Sequence, residues 1–359
     1  MKIFYDYQVF TNKVSGASRA FCEIATLASL ENSVYFGTKK STNIYLKVLK
    51  PDLKEFLPGI NFKGKSHLNN AIELNYSLSI IKENNFDLMH VTGENCYFLN
   101  FIKKPFIITI HDLIPENYLN NEKRIHNRAI LIERASRIIT VSENTKKELI
   151  NIYGNEIEYK VDIVYHGFTK SKLKYAHNRW GRYILFVGQR ASYKNFYSFI
   201  KALIPILKED KTLTVFCAGA PLNNEEVSYL SNLNIANRVM AEYVSDSDLY
   251  SLYKHAQAFV FPSLYEGFGI PILESFGNSC PAVISNTSCF PEIAGDAACY
   301  FDPKDEKSIS DAVKKVIYDK EYSDYLRKKG HERVALYTWE KSTSKMMDCY
   351  RNSIKASQS

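Results

Sequence analysis

Short apolar runs rich in Val, Ile and Phe alternate along the chain with longer segments of helical period, the pattern of parallel strands joined by helix crossovers. In the first half the runs predict strands at 3–5, 33–36, 88–91, 106–110, 138–141 and 161–165, and in the second half at 183–187, 213–217, 258–261 and 282–284. Between the two sets lies a polar, basic stretch, 166–182, with Gly167 and Gly181 and little apolar periodicity. It places a linker at 169–181, between a first domain of 1–168 and a second of 182–340. The tail, 341–359, is polar and helix-compatible and is expected to pack back onto the first domain. At 359 residues the chain is long enough for two hydrophobic cores, so the expected fold class is α/β with two Rossmann-like lobes.

Composition narrows the function. The chain is 45% hydrophobic and 24% charged and has no low-complexity tract, so it is expected to fold nearly throughout. A net charge of +7 suits anionic substrates or an acidic membrane surface but falls short of a nucleic-acid-binding stripe, and nucleic acid is excluded as a partner. Aromatic residues make up 13% of the chain, which suits surfaces that stack on sugars or rest against lipid headgroups. Seven cysteines are scattered without a C-x-x-C pair, as in a cytoplasmic protein with reduced thiols. The start, Met-Lys-Ile-Phe-Tyr, has no apolar signal core, and no segment approaches the roughly 18 to 20 apolar residues of a membrane span. A cytoplasmic location is expected, with peripheral contact at the inner face of the membrane.

The residues suited to chemistry gather at strand ends. After the 258–261 run comes Tyr265-Glu266-Gly267-Phe268-Gly269-Ile270-Pro271-Ile-Leu-Glu274. A loop carries one carboxylate, two glycines allow close backbone approach, and a helix opened by a first-turn proline carries a second carboxylate. Taken singly, Glu266 could cap its loop and Glu274 could complement the helix dipole. After the 183–187 run, Gly188 is followed by Arg190 and Lys194, and two cations beside a glycine turn suit a diphosphate whose charge must be held as it leaves. His111-Asp112 ends the 106–110 run, and Gly16 lies in the Ser15-Gly16-Ala17 loop that follows the first strand. The acidic pair of Asp246-Ser-Asp248 precedes a helical segment and reads as an N-cap, so no catalytic metal is expected.

Glu266 and Glu274 stand eight positions apart around Gly-Phe-Gly-x-Pro, which resembles the E-x7-E signature of retaining glycosyltransferase family 4, with the GT-B fold of two Rossmann-like lobes facing a central cleft. The likeness continues through Gly277-Asn-Ser-Cys-Pro281, Pro291-Glu292-Ile-Ala-Gly295 and Phe301-Asp302-Pro303, and in the first half through Ala135-Ser-Arg-Ile-Ile-Thr-Val-Ser142-Glu143 and Val164-Tyr-His166-Gly167. Many family members carry a Gly-Gly pair where this chain has Ser15-Gly16. The resemblance implies transfer of a hexose from a nucleoside diphosphate sugar, with no cofactor beyond that substrate. By that resemblance Arg190 and Lys194 hold the diphosphate, with Gly188 and Gly16 beside it. Glu266 holds sugar hydroxyls, Glu274 the ribose, and backbone groups of Gly267, Phe268, Gly269 and Ile270 the sugar and phosphate. Backbone groups at Tyr243 and Val244 contact the base, His111 meets the donor sugar, and Asp112 orients that imidazole or holds the acceptor.

The Tyr-Lys-Asn string at 193–195 and His-Asp-Leu-Ile-Pro-Glu at 111–116 resemble bacterial mannosyltransferases of surface polysaccharide (lipopolysaccharide, O-antigen) synthesis. GDP-mannose is the donor this implies first, UDP-hexoses remaining open, with a glycan or polyprenyl-linked oligosaccharide as acceptor. A GT-B-type epimerase and a binding-only homologue are the rival readings, and the joint presence of Arg190, Lys194, Glu266 and Glu274 stands against the second. The region 41–79, where acceptor specificity would be written, carries no motif.

Overall fold

The computed structural model describes residues 1–169, 175, 177–190 and 192–358; within the expected 169–181 linker, 170–174 and 176 lie outside the described residues. The chain forms two compact units, Met1–Gly167 with Trp339–Ser359, and Phe168–Thr338.

The first unit is a six-stranded parallel sheet of β1 (Lys2–Tyr5), β2 (Ser33–Phe36), β3 (Leu88–Val91), β4 (Phe106–Ile110), β5 (Arg137–Thr140) and β6 (Val161–Ile163), in the order β2-β1-β3-β4-β5-β6. β3 and β4 are buried almost throughout because helices cover both faces, which is why they read as unbroken apolar runs. The C-terminal helix Trp339–Ala356 belongs to this unit and packs on the helix Gly16–Ala28. Among its buried positions, Trp339, Thr343, Met346, Tyr350 and Ser353 recur at helical spacing and form one face. Tyr350 anchors that face in the core: its hydroxyl lies 2.8 Å from the Tyr5 hydroxyl and 2.8 Å from His90 Nδ1, while His90 Nε2 is 2.8 Å from Thr109 Oγ1.

The second unit is also a six-stranded parallel sheet, built from β7 (Arg182–Val187), β8 (Leu213–Ala218), β9 (Val239–Glu242), β10 (Ala258–Phe261), β11 (Ala282–Ser285) and β12 (Ala298–Phe301) in the order β12-β11-β10-β7-β8-β9. β9 and β12 are not among the strands that periodicity predicts. They are the two edges of the sheet; β9 exposes three of its four residues wholly or in part and flanks its one aliphatic core residue, Val239, with Met, Ala and Glu. An edge strand covered on fewer sides leaves a weaker apolar signature.

The order of each sheet sets where a ligand can dock. In the first, the chain leaves β1 for β2 on one side and then crosses to β3 on the other; in the second it runs outward through β7, β8 and β9 and returns to β10. Connections diverge at those points, β1/β3 and β7/β10, and leave a crevice at the carboxyl ends of the strands.

Candidate functional site

In the second unit, the loops leaving β7 and β10 are joined to each other. The chain turns at Gly188, whose φ of +116° favours glycine, and a Cβ on Gly219 at the end of β8 would lie 2.6 Å from the Gly188 carbonyl oxygen. The short turn Ser192–Lys194 follows, and Lys194 forms an ion pair with Glu266 from the loop after β10. A backbone bond fixes that meeting, Leu264 N–H donating to the Tyr193 carbonyl at 2.8 Å. The Lys194 ammonium also lies 5.3 Å from the ring centres of both Tyr193 and Phe261. The Lys194 and Glu266 side chains remain 15% and 14% exposed, so the pair is held but reachable.

Past Glu266 the backbone of Gly267, Phe268 and Gly269 is buried, Gly269 at φ +87°, and the helix Ile270–Gly277 opens with Pro271 in its first turn. Pro271 brings no N–H and the Ile272 N–H donates to the Gly269 carbonyl at 2.9 Å, which leaves the Ile270 N–H at the helix start for a phosphate or sugar oxygen. Glu274, on the same helix, is 6% exposed and accepts a 3.2 Å hydrogen bond from the Tyr253 hydroxyl. Burial, then the Glu274 charge, raises the Tyr253 phenol well above its ordinary value, so it stays a donor. Tyr243 and Val244 follow β9, the first exposed and the second half-buried, and Ser245 caps the helix Asp246–His255 by accepting from Asp248 N–H at 3.2 Å.

Arg190 departs from the expected role. Its Nε and Nη2 donate to the two Glu226 oxygens at 2.6 and 2.9 Å, and Nη1 and Nη2 donate to the Ala220 and Pro221 carbonyls at 2.8 and 2.9 Å. Both partners of this pair are about 5% exposed. Burial opposes the charge and Glu226 outweighs it, raising the guanidinium above its ordinary value. Glu226 in turn closes a capping box with Asn223. The guanidinium is therefore spent on tying the β7 loop to the loop after β8, and the geometry does not support Arg190 as a ligand for diphosphate.

In the first unit, a cavity of about 390 Å³ opens where the loops after β1, β3 and β4 converge, lined among others by Gln8, Asn12, Glu94, His111, Asp112 and Arg128. The His111 ring stacks on His166 at 5.6 Å and meets Phe21 edge-on at 5.7 Å, and its shielded Nε2 has no hydrogen-bond partner among the described residues. Burial drives its pKa down to about 4, Arg128 acting in the same direction against Asp112 and Glu94, so the imidazole is neutral at pH 7. Asp112 does not bond to that ring: its Oδ1 accepts from Ile114 N–H at 3.0 Å. Gly16 starts the helix Gly16–Ala28, which Ser15 caps by accepting from Ser18 N–H at 3.0 Å.

The charged floor of this cavity was not anticipated from the sequence. Arg128, 3% exposed, pairs with Glu94 and with Glu116 at 2.7 Å, Arg124 pairs with Glu94, and the Tyr153 hydroxyl donates to Glu116 at 2.7 Å. Burial raises the Glu94 carboxyl and the two arginines outweigh it, holding it below its ordinary range. Among the described residues, the two cations that line the cavity, Arg124 and Arg128, are thus both paired with carboxylates.

Comparison with known proteins bears on these features directly. A family model described as Glycosyl transferases group 1 matches residues 168–333, and one described as Glycosyltransferase Family 4 matches residues 42–172. Each model covers less than half of the chain, and together they span residues 42–333, so the chain resembles glycosyltransferases of these two groups along most of its length. The O-antigen chain mannosyltransferase RfbU of Salmonella typhimurium is 29% identical over 214 residues, 58% of this chain and 60% of that protein. The O-antigen chain mannosyltransferase B of Escherichia coli is 25% identical over 284 residues, 72% of this chain and 73% of its own. Among solved structures, Anabaena HepE in complex with UDP and glucose superposes with a TM-score of 0.77 at 15% identity, covering 97% of this chain and 98% of that one. The fold is accordingly GT-B, with two Rossmann-like lobes.

The sequence-derived residues fall into three groups. Lys194, Glu266, Glu274 and the Gly267–Ile270 backbone gather at the carboxyl edge of β7 and β10. His111 and Asp112 line the cavity of the first unit. Arg190 is a structural tie. Two signals pointed to what was missed: Thr92-Gly-Glu94 stands at a strand end beside the β1/β3 switch point, and Asn223-Asn-Glu-Glu226 has capping-box spacing.

Proposed function

We propose that the chain is a retaining mannosyltransferase that moves mannose from GDP-mannose to a hydroxyl of a glycan or polyprenyl-linked oligosaccharide in surface polysaccharide synthesis. The observation that carries the reading is the Lys194–Glu266 pair at the β7/β10 switch point, beside the start of the Glu274 helix. It is a fixed cation for a leaving diphosphate with a carboxylate for sugar hydroxyls next to it. The O-antigen relatives support the choice of mannose and of this acceptor class.

Chemically, the C1–O bond to the diphosphate breaks as the acceptor hydroxyl approaches the same face. The departing phosphate oxygen takes the hydroxyl proton, and no covalent nucleophile is needed. Lys194 and the Ile270 N–H at the helix start stabilise the charge that grows on the diphosphate. Glu266 holds the sugar, Glu274 the ribose, and the backbone at Tyr243 and Val244 the base. In the first unit, neutral His111 lines the cavity in which Asp112 accepts from the acceptor hydroxyl. Among the described residues no helix is long and apolar enough to cross a membrane. Exposed Leu57, Ile60 and Leu68, interleaved with Lys54 and Lys63, suit peripheral contact with an anionic surface.

Release of nucleoside diphosphate from GDP-mannose, UDP-glucose, UDP-galactose and UDP-N-acetylglucosamine, with and without mannoside acceptors, tests the reading. Acceptor-stimulated turnover of GDP-mannose is expected, and turnover confined to a UDP-sugar would replace mannose by another hexose.

A further inference from the structure

A second cavity of the first unit, about 490 Å³, lies in the segment whose sequence carries no motif. Its size is that of a small-ligand site, within the usual range of about 300–1,000 Å³. Its wall is fixed by bonds that leave the lining unused. Ser41 Oγ donates to the Phe10 carbonyl, Asn43 donates to the Asn12 carbonyl at 2.8 Å, and Lys65 spends its ammonium on the Leu57 and Ile60 carbonyls at 2.8 and 2.7 Å. By contrast, the lining side chains of Asn12, Thr42, Asn61, Ser66, Asn69 and Asn70 make no hydrogen bond to any described residue. One of them, Asn69, has its Oδ1 shielded from solvent and still unpartnered, a cost that a folded chain seldom carries without a ligand or water to relieve it. Phe56 and Phe62 add ring surface to the same cavity.

Unengaged amides and hydroxyls beside aromatic rings, with the lining lysine already committed, fit the hydroxyls and C–H faces of an uncharged sugar better than a phosphate, which would gain no uncommitted cation from the lining. Asn12 lines both this cavity and the one that holds His111 and Asp112, so the two are adjacent. We propose that this second cavity is a subsite for an internal sugar of a neutral acceptor chain whose terminal sugar occupies the His111 cavity. The proposal rests on the transferase reading above. It makes the enzyme an extender of chains, with selectivity for acceptor length written in residues 41–70.

The test uses α-mannosides of one to four sugars on a common octyl aglycone, with wild type and Phe62→Ala, Asn69→Ala and Asn70→Ala. Two quantities are measured: kcat/KM with GDP-mannose, and binding without donor by saturation-transfer NMR. Phe62 and Asn70 are exposed, so their variants should fold even if Asn69→Ala does not. Wild type should prefer the three- and four-sugar acceptors by about tenfold or more, the value of one well-made contact of about 1.4 kcal/mol. The variants should lose that preference while changing the one-sugar rate less than about twofold. A wild type indifferent to length, or variants that keep the preference, would overturn the subsite. Length-dependent binding that needs Asn70 but comes without any turnover would leave the subsite standing and remove the transferase reading.

Discussion

Arg190 and Lys194 are four positions apart and carry the same charge, yet the structure gives them opposite consequences on substitution. Arg190→Met removes a guanidinium that makes four hydrogen bonds and leaves the Glu226 carboxylate buried beside an apolar side chain. Breaking a buried pair from one side costs about 3–5 kcal/mol. At about 2–4 °C per kcal/mol for a unit of this size, the melting temperature of the second unit should fall by about 6–20 °C. Lys194→Ala removes a reachable pair, and its stability cost should stay near 1 kcal/mol or below. Its effect belongs in the chemistry: loss of one preorganised charge contact to a leaving group typically costs about a hundredfold in turnover. Calorimetry and nucleoside diphosphate release, run on the same preparations below the lowered melting point, separate the two. Glu226→Gln should reproduce much of the Arg190 destabilisation while sparing turnover. An Arg190 variant that melts like wild type but has lost turnover a hundredfold would refute the tie, and a Lys194→Ala enzyme at full rate would refute the cation.

Glu274→Ala should weaken free nucleoside diphosphate binding by about 1–3 kcal/mol in titration calorimetry, and unchanged affinity would take Glu274 out of the nucleotide site. Because Asp246 and Asp248 open a capped helix and Lys194 supplies a fixed cation, EDTA should leave most of the turnover intact; loss restored by Mg²⁺ or Mn²⁺ would contradict this. Burial also sets a pH dependence of stability, lowering His90 and His166 to about 3 and His111 to about 4, below the ordinary imidazole value. As pH falls below about 6.5 the unfolded chain binds protons that the folded first unit refuses. Each of these histidines should therefore remove up to about 1.4 kcal/mol per pH unit, and urea midpoints equal at pH 7 and pH 5 would rule that out.

The parallel sheets were legible because a strand covered on both faces cannot hide its apolar run: Phe106–Ile110 and Ala258–Phe261 are buried at nearly every position. What periodicity missed, β9 and β12, lies at the edges. The C-terminal helix was placed by its position after the second sheet, but the bonds that seat it, Tyr350 to Tyr5 and His90, join residues 345 and 260 positions apart and leave no local mark.

The same distinction explains the site. Glu266, Gly269, Pro271 and Glu274 belong to one continuous loop-helix unit whose chemistry is local, so spacing alone described it. A cation's role depends on its partner, and partners are set by topology. Glu226, 36 positions beyond Arg190, reaches it because β8 lies next to β7 and delivers the capping-box helix to that edge; Glu266, 72 positions beyond Lys194, reaches it because β10 lies on the other side. The β7 loop therefore distributes its two cations to opposite neighbours, one closed by four bonds and one left reachable. In the first unit the logic is reversed. Arg124 and Arg128 are neutralised by Glu94 and Glu116, while the amides around Asn69 are left unengaged. A unit that pairs Arg124 and Arg128 with carboxylates and leaves its amides unengaged suits hydroxyls better than anions, so on the proposed reading the anionic end of the chemistry belongs to Lys194 and the acceptor side to sugar.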